Sequence, residues 1–68
     1  MKAPRQVARY GRWGVICNGD PMATFARFIV LDGPISDVRD SDFKYGFGSM
    51  LDACDRALAA DDADKAQR

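Results

Sequence analysis

The chain has 68 residues, 47% of them apolar and 10% aromatic, and its ten bases balance ten acids. That length supports one small domain, and the composition suits a folded chain over a disordered one. Histidine, glutamate and any Cys-x-x-Cys are absent, which excludes a conventional zinc site and leaves little for acid–base or nucleophilic catalysis.

The zero net charge is a cancellation. Residues 1–31 carry five bases against Asp20 alone, a balance of +4, and residues 32–68 carry five bases against nine aspartates, a balance of −4. Such asymmetry marks either a basic docking surface or two halves that attract each other, within one fold or between subunits. A core of this size rarely supplies more than about 3–5 kcal/mol, so a disulfide, a metal or association is the usual supplement. Cys17 and Cys54 read as two small buried thiols, with a Cys17–Cys54 disulfide as the alternative in an oxidising compartment. Met1–Tyr10 lacks the apolar stretch of a signal peptide and no run approaches a membrane span, so a cytoplasmic protein is expected.

Residues 1–5 are expected to form a flexible basic arm, since Pro4 opposes helix. From about Gln6 to Asn18 the pattern predicts one strand with a glycine-rich centre. Trp13, Val15 and Cys17 share one side, and Tyr10, Arg12, Gly14 and Ile16 the other. Asn18-Gly19-Asp20-Pro21 is a strong turn signal. Residues 22–31 follow as a second strand, apolar on both faces: Met22, Ala26, Phe28 and Val30 on one, Phe25, Ile29 and Leu31 on the other. The two strands read as a hairpin. A register with Cys17 opposite Met22 puts Trp13 and Phe28 on one face, and a shift of one residue exchanges the faces of the second strand.

Asp32-Gly33-Pro34 is a second turn, and residues 35–42 read as a polar loop with a helical turn beginning at Ser36. Alternation of Phe43, Tyr45 and Phe47 suggests a short third strand. Ser49 is a good N-cap with Asp52 three residues on, and Met50, Leu51, Cys54 and Leu58 recur at helical spacing, predicting a helix over 50–60. Asp61, Asp62 and Asp64 oppose the helix dipole, so residues 61–68 are expected to form a frayed acidic tail. The expected fold is α+β in a single domain over 1–68: a two- or three-stranded antiparallel sheet with one C-terminal helix.

The basic, aromatic and glycine-rich phrases Arg9–Gly14 and Lys44–Gly48 match neither a phosphate loop nor the spacing of an RNA-recognition strand. The loose acidic run Asp37, Asp40, Asp42 lacks the glycine and terminal glutamate of a calcium loop. No catalytic residue, cofactor or metal is therefore expected. One helix covers one face of a sheet, and the uncovered face is expected to be apolar and marked by arginine. The residues expected to bind a partner are Tyr10, Arg12, Trp13, Phe25, Arg27 and Ile29, types enriched at interface centres. The expected function is that of a small non-enzymatic protein-binding module, either a homodimer or an adaptor or inhibitor on a larger protein. The alternative is nucleic-acid binding through the basic-aromatic first half, with Arg5, Arg9, Arg12 and Arg27 on phosphates.

Overall fold

The computed structural model describes residues 4–67. It contains a three-stranded antiparallel sheet in the order β1 (Arg5–Tyr10), β2 (Trp13–Cys17), β3 (Phe28–Asp32), followed by one C-terminal helix, α1 (Met50–Ala66). The fold is α+β, with the helix laid across one face of the sheet. The basic arm expected at 1–5 falls largely outside the described residues, and Arg5 already opens β1.

The single strand expected over 6–18 is instead a hairpin. Tyr10 pairs with Trp13 across a two-residue turn, Gly11-Arg12, and Gly11 has a φ of 62°. Tight hairpin turns need this left-handed geometry, and glycine adopts it at no steric cost. A side chain at position 11 would also collide with the Asp61 carboxylate. The arginine and aromatic residues around the turn hid this signal in the sequence.

The β2–β3 pairing was anticipated but its register was not. Cys17 faces Phe28 rather than Met22, so only residues 28–32 of the expected 22–31 strand join the sheet. Residues 18–27 form a connecting loop. Phe43, Tyr45 and Phe47 make no third strand of their own. Phe47 alone forms a bridge to Phe28, with reciprocal backbone bonds of 2.8 and 2.7 Å. The helical turn expected near Ser36 is the 3-10 turn Ile35–Asp37, and a second one, Asp40–Phe43, follows it. In the second, the Arg39 amide donates to the Asp42 carboxylate at 2.8 Å.

The helix starts where Ser49 predicted, although Ser49 caps with its carbonyl and not its hydroxyl. It continues six residues past the expected end, so 61–66 are helical and not frayed. Ala53 and Ala57 are fully buried against Val15, Cys17, Ala26 and Phe28. Their small side chains let the helix approach the sheet closely. Cys17 and Cys54 are free thiols on this side.

The face of the sheet away from the helix is also occupied. Ile16 points there and is only 1% exposed, although it stands outside the helix-side core. The 3-10 turn over 40–43 packs against β3 and buries Phe43, and Gly46 fits closely beside the Phe28 carbonyl and the Ile29 side chain. The segment after β3 thus covers part of the face that sequence reasoning assigned to a partner.

Candidate docking surface

The six residues expected at a partner surface separate into two groups at opposite ends of the sheet. Tyr10, Arg12 and Trp13 gather at the β1–β2 turn, whereas Phe25 and Arg27 lie in the loop before β3. A five-residue strand spans about 13 Å, so the groups are not one patch. Ile29 is half-buried on the sheet face between them.

The first group is mostly structural. Tyr10, expected on the face away from the helix, packs on the helix side with Trp13. The neighbouring Cys54 side chain is the chief cause holding the Tyr10 phenol above its ordinary pKa, with burial and then the charge of Asp55 adding to it. The Trp13 indole N–H donates to the Asp64 carboxylate at 2.8 Å. Arg12 lies 5.7 Å over the Trp13 ring. Its guanidinium pairs with Asp32 and approaches Asp64 at 3.9 Å. The pairing with Asp32 holds Arg12 above its ordinary pKa and Asp32 below the usual carboxylate range. Asp61 completes the arrangement, nearly buried against Gly11 and paired with Lys65 at 3.1 Å. Arg12 is therefore an internally neutralised clamp between the turn, β3 and the helix.

The four arginines proposed as phosphate contacts do not converge. The bulge between Gln6 and Ala8 shifts the alternation along β1, so that Arg5 lies on the helix side, opposite Cys17, and Arg9 on the other, opposite Gly14. Arg9 donates to Gln6 at 3.3 Å and to the Arg12 carbonyl at 3.4 Å. Arg27 donates to the Ala26 carbonyl at the far end of the sheet.

The second group sits on a loop whose backbone is held by its own hydrogen bonds. The loop over 18–27 is closed at its neck, where the Asn18 amide donates to the Arg27 carbonyl at 3.1 Å and the Asn18 side chain accepts from the Arg27 amide at 2.9 Å. Two successive β-turns shape its interior, with the Ala23 amide bonded to the Asp20 carbonyl and the Ala26 amide to the Ala23 carbonyl. Pro21 suits the second position of the first turn, and the Asp20 carboxylate accepts from the Met22 amide at 2.9 Å. Ala26 is buried in the core and anchors the loop. Met22, expected in the core, and Phe25 project outward, 89% and 83% exposed. Phe25 and Arg27 are exposed as expected, though on a loop and not a strand, and Met22 was misplaced because a pair of turns around Ala23 has no periodicity to read.

Among the described residues, no helix is long and apolar enough to cross a membrane, and no group of three metal-ligating side chains comes together. No family model, curated protein or solved structure matches the chain.

Proposed function

We propose that this chain is a small non-enzymatic protein-binding module, an adaptor or inhibitor that docks on a larger protein through the loop over 18–27. The reading rests on one observation: two large apolar side chains, Met22 and Phe25, stand nearly fully exposed on a loop whose backbone is fixed by its own hydrogen bonds. Apolar exposure opposes solubility, and a fixed loop loses little conformational entropy on docking, so the pair is suited to enter a pocket on a partner. Arg27, exposed beside them, supplies a charge for an acid at the rim.

Affinity capture with the tagged chain and its Phe25→Asp variant tests this, with thermal melting as a control. Because Phe25 is exposed, the variant should melt like the parent. It should lose a protein captured by the parent, and that capture should persist as salt rises. The proposal is overturned if both chains capture the same proteins, or if nucleic acid alone is captured and released steeply by salt.

A further inference from the structure

A second surface, on the β1 side of the helix, has a different character. Leu51, Cys54 and Leu58 follow at helical intervals of three and four, so they form one stripe. Cys54 packs against the helix-side core together with Tyr10, and Asp61, seven residues further along the same side of the helix, sits on Gly11 at the end of β1, which places that stripe on the flank above β1. Leu51 is 73% exposed and Leu58 41%. Asp55 and Asp62 border the stripe on its solvent side, and directly beneath runs the edge strand β1, with Arg5 and Arg9 exposed. Among the described residues, neither arginine forms a salt bridge, and neither do Asp55 and Asp62. An acid-bordered apolar stripe thus lies above a basic strand edge, and among the described residues neither charge set is neutralised by a salt bridge.

We propose that a second copy of this chain packs on this flank about a two-fold axis parallel to β1 and midway in height between sheet and helix, so that the arginine-bearing strand edge of each copy meets the Leu51–Leu58 stripe of the other. Rotation about that axis carries the sheet layer of one copy to the level of the helix layer of its mate. Basic edge then faces acidic helix twice, and each leucine stripe is covered. The commoner alternative, antiparallel continuation of the sheet through two β1 edges, fits less well. It would set arginine-bearing edges against each other, and β1 carries a bulge between Gln6 and Ala8. Bulges and edge charges both oppose strand addition. This surface is separate from the loop over 18–27 and does not depend on its role.

Sedimentation equilibrium of the full chain over a micromolar concentration series tests the arrangement. The parent should dimerise, more weakly as salt rises, and Leu58→Asp should weaken the dimer about tenfold or more. Two charge-reversed chains make the test independent of that variant's folding. A chain with Arg5→Asp and Arg9→Asp and another with Asp55→Arg and Asp62→Arg should each fail to self-associate, yet form a heterodimer when mixed. Phe25→Asp should leave the mass unchanged. A parent that is monomeric throughout overturns the proposal. So does a helix-reversed chain that dimerises alone, because pairing through β1 edges would leave it unaffected.

Discussion

At the scale of single residues, Arg12 shows how a side chain that reads as a ligand-binding group becomes internal. Its position between basic and aromatic neighbours suggests a surface contact, but the hairpin turn places it across from Asp32 and close to Asp64. The pairing lowers the pKa of Asp32. A carboxylate whose pKa is depressed on folding stabilises the native state above its unfolded value of about 3.9, and that contribution is lost as the pH falls through the lower folded value. The parent should therefore lose melting temperature below about pH 4 more steeply than Asp32→Asn, and added salt should reduce the difference because the pair is exposed. Parallel melting curves for the two proteins would dismiss this role.

At the scale of elements, the helix is the clearest case of tertiary structure overriding local preference. Three aspartates near a helix C-terminus oppose the dipole, and taken alone they predict fraying. Two of them are instead committed to the hairpin: Asp64 accepts from the Trp13 indole, and Asp61 packs on Gly11 and pairs with Lys65. These contacts offset the unfavourable end charge. Asp64→Ala leaves the half-buried indole N–H without its partner and should destabilise the chain by about 1–3 kcal/mol in urea unfolding, with a change in Trp13 fluorescence. A change smaller than a few tenths of a kcal/mol would mean that the last turns are held by α-helical propensity alone.

For the whole molecule, the main point is how 68 residues cover both faces of a sheet. The helix covers one. The segment after β3 folds back over part of the other, with Phe43 buried beside the outward-facing side of β3 and Ile16 shielded from solvent. Phe43→Ala should accordingly cost about 3–5 kcal/mol, read as a lower denaturation midpoint, and should increase binding of a hydrophobic dye as the outer face opens. If the midpoint hardly moves, the segment is a passive cover. Of the large apolar side chains left to the solvent, Met22 and Phe25 stand on the loop over 18–27 and Leu51 and Leu58 on the β1 flank of the helix.

By itself, the sequence determined the composition of the fold. Apolar alternation in Val15, Cys17, Phe28 and Val30, the chain reversals signalled after Asn18 and after Asp32 and the helical spacing after Ser49 were enough for an antiparallel pairing and the helix start. They were enough because these signals are local, set by backbone geometry within a few residues. Tertiary structure decided the register of β3, the second hairpin turn at Gly11, the length of the helix and the placement of Met22, Tyr10 and Phe43. Each of these depends on contacts between distant segments, such as Trp13 with Asp64 or Phe28 with Phe47. No periodicity along the chain encodes such contacts, and they alone settle which apolar residues are core and which remain available for binding.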